Sequence, residues 1–240
     1  ERALGEIQII NEPVVLDHFE TFVYSQNDPV GVATAVGQDS RFVYTFDPAP
    51  HNRSGRMSPE QKRALKARNQ PPVPPGQYVQ STQRVLDVLA PKVPPGERLK
   101  LVTDDHPAYR QALKTHGEAH RFEHLVFANP ERGPKGSVRS EEAVKRDRAM
   151  FVCDKLHLLI RHSCAHHRRE TIAFSRRIDA MIARGFVMLV WRNFVKDRSE
   201  RKPDRTTPAM ALGLTPCQWS WSQVLSRRLF PGRMPVSEPS

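Results

Sequence analysis

Cysteine is scarce. Cys153, Cys164 and Cys217 are the only three in 240 residues, too few and too scattered for a disulfide framework, and such usage fits a reducing cytoplasm. Long apolar runs are missing too. No stretch approaches the roughly 20 residues that a membrane helix needs, and the opening ERALGEIQII lacks the basic-then-apolar order of a signal peptide. Acidic charge is in deficit, with 26 Asp and Glu against 37 Lys and Arg, a net charge of +11 and a pI near 10. The missing apolar run argues against a membrane helix, and the charge balance favours a polyanionic partner, nucleic acid first among them.

The stretch 151–177, FVCDKLHLLIRHSCAHHRRETIAFSRR, contains no Gly and no Pro. Its apolar residues recur at helical spacing, which predicts one long helix or two stacked ones. On a wheel of about 100° per residue, Asp154, His157, Leu158, Arg161, Ala165 and Arg168 share one face, and Leu156, Leu159, Ile160 and Ser163 the other. One acid thus sits on a basic face that can meet an anion while the leucine side is buried.

Three apolar segments rich in β-branched and aromatic residues, VVLDHFETFVYS, VGVATAVG and RFVYTF, run from Val14 to Phe46 with short polar turns between them. They predict an antiparallel meander. Residues 47–76 are rich in proline and basic charge and read as an insertion, with Ser58, Pro59 and Gln61 forming a capping signal for a short helix. A helix over STQRVLDVLA, a strand over ERLKLVTDD, a helix over HPAYRQALKTHG and a strand over RFEHLVFA follow. Helices then fill 141 to about 195, and WSWSQVLSRRLF predicts a last one.

Three antiparallel strands followed by helix, strand, helix, strand and terminal helix is the order of an α/β, ribonuclease H-like mixed sheet with a C-terminal helical region. In that fold the first and fourth strands are neighbours. Asp17 in the first strand, Asp104 ending the fourth and Asp154 on the following helix are therefore expected to meet. Three carboxylates brought together repel one another unless cations neutralise them. Hard oxygen ligands suit two Mg²⁺ or Mn²⁺ ions, which can activate an attacking oxygen and stabilise the leaving oxygen of a phosphodiester.

The same residues resemble the catalytic domain of bacterial insertion-sequence transposases of the DDE/DDD class. LDHFETFV is similar to the family's first acid followed by aromatics, and TDDHPAY to its segment around the second. Asp154, Arg161, RRETIAFS, WRNFV and TTPAMALGL are similar to its third block. Asp154 stands where Glu is usual, and Trp191 and Arg192 replace the usual Tyr before Asn193. Asp105 stands where Gly is usual, so the second ligand lies between Asp104 and Asp105, with Asp104 favoured because it directly follows Thr103.

The resemblance implies cleavage of mobile-element ends in double-stranded DNA and strand transfer into a target by a homo-oligomer at the bacterial nucleoid. It also implies a DNA-recognition region upstream of Glu1, with 1–13 as linker, 14–200 as catalytic domain and 201–240 as tail. Arg161, Arg168, Arg169 and His157 are the expected DNA contacts, Arg161 and Arg168 holding phosphates on the metal side of the helix. Two rivals share these residues: a nuclease that cleaves without joining, and a non-catalytic DNA-binding remnant. A zinc site from His162, His166, Cys153 and Cys164 is disfavoured, because Cys153 points away from the two histidines and no C-x-x-C pair occurs.

Overall fold

The computed structural model describes residue 7 and residues 9–68, 71–131, 133–134, 136–169, 171–199 and 204–226. Five strands form one mixed sheet: β1 (Val14–Phe22), β2 (Pro29–Gly37), β3 (Val43–Pro50), β4 (Leu99–Thr103) and β5 (Phe122–Val126), in the order β3-β2-β1-β4-β5. The first three make the expected meander, with Val14 opposite Gly37 and Phe22 opposite Pro29. β4 lies parallel to β1, pairing Leu101 with Val14 and Val102 with Val15, and β5 lies parallel to β4. Parallel neighbours need crossovers, and the chain supplies helices for them.

Those helices are α1 (Pro59–Ala67), α2 (Gln77–Leu89), α3 (Pro107–Thr115), α4 (Glu141–Ala149), α5 (Phe151–Ser163), α6 (Ile178–Val190), α7 (Pro208–Ala211) and α8 (Trp221–Ser226). α1 begins as its sequence predicts. Ser58 Oγ accepts from Gln61 N–H while the Gln61 side chain accepts from Ser58 N–H, a reciprocal cap.

Strand alternation sends β1 side chains to opposite layers. Val14 and Leu16 pack with Val85, Leu89, Tyr109 and Leu113 of α2 and α3, whereas Val15 packs with Val152, Cys153 and Leu156 of α5. Asp17 has the parity of Val15 and so lies beneath α5. His18 has the opposite parity and stacks on Tyr78 of α2 at 4.2 Å.

The stretch 151–177 is not one helix. α5 stops at Ser163, Cys164 is extended (φ −113°, ψ 104°), a single 3₁₀ turn follows at Ala165–His167, and α6 starts at Ile178. Tertiary pairing overrides local propensity here. Ser175 bridges Val23 beyond the end of β1, its carbonyl accepts from Tyr24 N–H at 2.6 Å, and Thr21 Oγ1 meets His167 Nδ1 at 2.9 Å. α6 runs into a π-helical turn at Trp191–Val195, where Asn193 reaches the edge strand.

The expected linker lies partly outside the described residues, at 1–6 and 8, as do 201–203 and 227–240 of the expected tail. Among the described residues no helix is long and apolar enough to cross a membrane.

Candidate active site

The three acids come from three elements. Asp17 sits in β1, Asp104 in the first position after β4, and Asp154 in the first turn of α5. Asp17 Oδ1 accepts from His18 N–H at 2.8 Å and from the Tyr109 hydroxyl at 3.3 Å. Tyr109 is buried in α3 and its hydroxyl oxygen also accepts His18 N–H at 3.0 Å. The loop after β5 holds the second acid: Asn129 Nδ2 donates to Asp104 Oδ2 at 2.9 Å, and His106 N–H donates to Asp104 Oδ1 at 3.0 Å. Asp105 is exposed and takes only the longer Asn129 N–H at 3.4 Å.

The carboxylates feel one another. Burial, then Asp104, then Asp154 push the Asp17 carboxyl up to about 7, against a partial offset from His18 N–H and Arg146. Tyr109 is held well above its ordinary value by burial, then by Asp17 and Asp104. Asp105 is not among these influences, which favours Asp104 as the second member of the cluster.

Arg146 of α4 closes the third corner. Its Nη1 lies 2.5 Å from Asp154 Oδ2, with the arginine side chain mostly buried and the acid partly exposed. No sequence pattern marked this residue. Tyr109 and Asn129 are the other neighbours that the acids alone did not indicate, although Tyr109 is the Tyr of TDDHPAY.

His157 also belongs to this pole, but as a neutral group. Its Nε2 meets Thr34 Oγ1 at 2.8 Å, and its Nδ1 comes within 3.8 Å of Asp17 Oδ2. Burial, then Arg161 and Arg146, lower its pKa to about 3, so that approach is a contact rather than an ion pair. Arg161 is engaged within the fold: Nη2 donates to Glu20 O at 2.7 Å, Nη1 to His167 O at 3.2 Å, and the guanidinium lies 4.6 Å over the Phe19 ring. Arg168 and Arg169 are exposed but lie beyond the end of α5, so Arg168 does not share the helical face expected of it. Cys153 is buried with its thiol against Val15 O at 3.3 Å, while His162 is exposed.

No family model matches this chain, and no curated protein matches it. Among solved structures, a similar chain occurs in the cryo-EM structure of the simian T-cell lymphotropic virus intasome in complex with PP2A regulatory subunit B56 gamma. Its TM-score is 0.38 at 12% identity, over 98% of this chain and 65% of that one. The chain thus spans less than two thirds of the length of that neighbour.

The donor set suits a hard divalent ion, because all three side chains are carboxylates and their repulsion raises Asp17. The positions do not close round one. Among the described residues no group of three or more His, Cys, Asp or Glu is placed to hold a metal ion. At Asp154 the guanidinium of Arg146 supplies the positive charge instead.

Proposed function

We propose that this chain is a DNA-processing phosphoryl transferase of the transposase type, built on a ribonuclease H-like sheet. The observation that carries the reading is the cluster of Asp17, Asp104 and Asp154 at one pole, felt electrostatically at Asp17. The parallel pairing of β1 with β4 supports it, because Asp17 lies in β1 and Asp104 directly follows the end of the neighbouring β4. The similarity of TDDHPAY, RRETIAFS and TTPAMALGL to transposase motifs gives the reaction class.

As placed, Asp17, Asp104 and Asp154 do not close round an ion; were Asp154 released from Arg146 and turned toward the other two, these three carboxylates would be the ones to hold Mg²⁺ or Mn²⁺. Such a pair of ions supplies an activated water or 3′-hydroxyl and charge stabilisation of the leaving oxygen. The remaining work belongs to the chain. Tyr109 and His18 N–H fix the Asp17 carboxylate, Asn129 and His106 N–H fix Asp104, and neutral His157 closes the pole beneath α5 without adding charge. Arg146 must leave Asp154 before that carboxylate can serve an ion.

The test is a labelled duplex carrying the DNA that flanks the chain's own gene, incubated with Mn²⁺ and a second, unlabelled duplex. Cleavage with transfer of the new 3′ end supports the transposase, and cleavage without transfer replaces it with a nuclease. Asp154→Asn is expected to abolish cutting while leaving DNA affinity within about twofold; a variant that still cuts removes Asp154 from the site. The Arg146–Asp154 pair favours a second reading, a DNA-binding remnant without catalysis. Binding that falls steeply with salt, is indifferent to Mg²⁺ and is never followed by cleavage would establish it.

A further inference from the structure

The acids occupy one flank of α5, and another flank of the same helix is built for a different purpose. Phe151, Lys155, Leu158 and His162 recur at helical spacing and form one stripe, away from the sheet and centred about 70° round the helix from Asp154, further still from His157. That stripe is a wall of an open groove of about 670 Å³, whose other walls are the turn between β2 and β3 and residues 191–199. Cations line it from every side: Arg41 from the turn, Lys155 from α5, and Arg192, Lys196 and Arg198 from the far wall, with His162 of α5 beside them. Asp197 is the one acid among the described lining residues, and its Oδ1 already accepts from Gln218 Nε2 at 2.9 Å.

Arg41 is placed there at a conformational cost. Its φ is +61°, in the left-handed region that side chains other than Gly rarely adopt. The turn that imposes this is locked by buried Glu12, which accepts Asp39 N–H and Ser40 N–H at 2.8 Å each and the Tyr44 hydroxyl at 2.6 Å. From that fixed point Arg41 Nη1 donates to Arg198 O at 2.8 Å. Burial, then the Arg198 charge, lower the Arg41 pKa, so the two guanidinium groups are near enough to repel. An anion laid between them relieves that repulsion.

Apolar groups stand beside the charges. Phe151 is 45% exposed and Leu158 63% exposed, and both open onto the groove. Cations with an exposed ring and an aliphatic side chain suit a ligand in which charged phosphates alternate with sugars.

We propose that this groove binds the backbone of a nucleic acid duplex, with Arg41, Lys155 and Arg198 on phosphates and Phe151 and Leu158 against the sugars. The surface is separate from the carboxylate pole, and it replaces the Arg161 face as the principal nucleic-acid contact. It stands on charge and shape, not on the cleavage chemistry.

The experiment measures anisotropy of a short fluorescent duplex titrated with the full chain in EDTA, at several KCl concentrations. Arg41→Gln, Lys155→Gln and Arg198→Gln are each expected to weaken binding about 5- to 10-fold and to lower the salt slope by about one. The control removes equal charge from the insertion helix, as Lys62→Gln, Arg63→Gln and Lys66→Gln together, and is expected to cost about threefold or less. Lys155 is exposed on a helix, so its variant keeps the readout if Arg41→Gln loosens the turn.

If Arg41→Gln, Lys155→Gln and Arg198→Gln combined in one chain bind no more weakly than the control triple variant, the proposal is overturned. Capture of phosphatidylglycerol vesicles through these residues in preference to the duplex overturns it as well. Because no divalent ion is present, failure here leaves the cleavage reading untouched. Conversely, loss of binding in the groove variants with no cleavage by any protein removes only the cleavage reading.

Discussion

Buried titratable groups at the acidic pole oppose each other in their response to pH. His18, His157 and His167 are each lowered to about 3, chiefly by burial. Each therefore stabilises the fold above about 6.5 and loses that contribution as pH falls toward 3. Asp17 runs the other way: raised to about 7, it favours the folded state below about 4 and loses that contribution as pH rises through 7. Near pH 5 the unfolded chain takes up three histidine protons that the folded chain refuses, while the folded chain keeps one at Asp17. From these four groups alone the net of two protons contributes a slope of about 3 kcal/mol per pH unit, to which lowered His124 and His166 add and from which raised His51 subtracts. In Asp17→Asn the offset is gone and this contribution should steepen to about 4, whereas His157→Gln should flatten it to about 1.4. Urea titrations in EDTA between pH 4.5 and 6 check both, and slopes unchanged in either variant would show that these groups titrate alike in both states. At pH 8 the same Asp17→Asn protein should be more stable than the parent by on the order of 2–4 kcal/mol, since it carries no buried repelled anion.

At the level of elements, the edge of the sheet depends on one side chain. Asn193 Oδ1 accepts from Val43 N–H at 2.9 Å and its Nδ2 donates to Val43 O at 2.9 Å, so it completes the outer edge of β3 as a further strand would. Asn193→Ala strands two buried backbone groups and is expected to cost about 2–4 kcal/mol by chemical denaturation, with far-UV circular dichroism unchanged. A cost under about 1 kcal/mol would mean that water replaces the side chain there.

The strands, their order and α1 were legible because alternation, turn residues and a capping box are local signals. The break after Ser163 was not, since nothing in RHSCAHHRRETIAF disfavours a helix. What ends it is the pairing of Ser175 with Val23, an interaction written in the fold rather than in the segment. The same break removed Arg168 from the helical face and left Arg161 to hold Glu20 O and His167 O. The acids were legible as residue types on named elements. Arg146 was not, because an arginine eight positions before Asp154 becomes its partner only through the packing of α4 on α5.

For the molecule as a whole, charge is divided by place. A net +11 surrounds a pole where three carboxylates repel, and the cationic groove lies on the next flank of α5. Polyanion binding and divalent-ion binding should therefore separate cleanly. An ion that binds only the folded chain stabilises it by about 2.7 kcal/mol at a hundred times its Kd, or a rise in Tm of about 5–10 °C for a chain of this size. Mn²⁺ should produce that rise at pH 8. The rise should shrink at pH 6, where Asp17 holds a proton that the ion must displace, and vanish in Asp17→Asn. Arg146→Gln should sharpen the response, because it removes the guanidinium that competes for Asp154. The groove variants should show the full Mn²⁺ shift while binding duplex poorly, and Asp17→Asn the reverse. A Tm indifferent to Mn²⁺ at pH 8 in both the parent and Arg146→Gln would mean that the pole holds no ion, leaving the groove as the working surface of a DNA-binding chain.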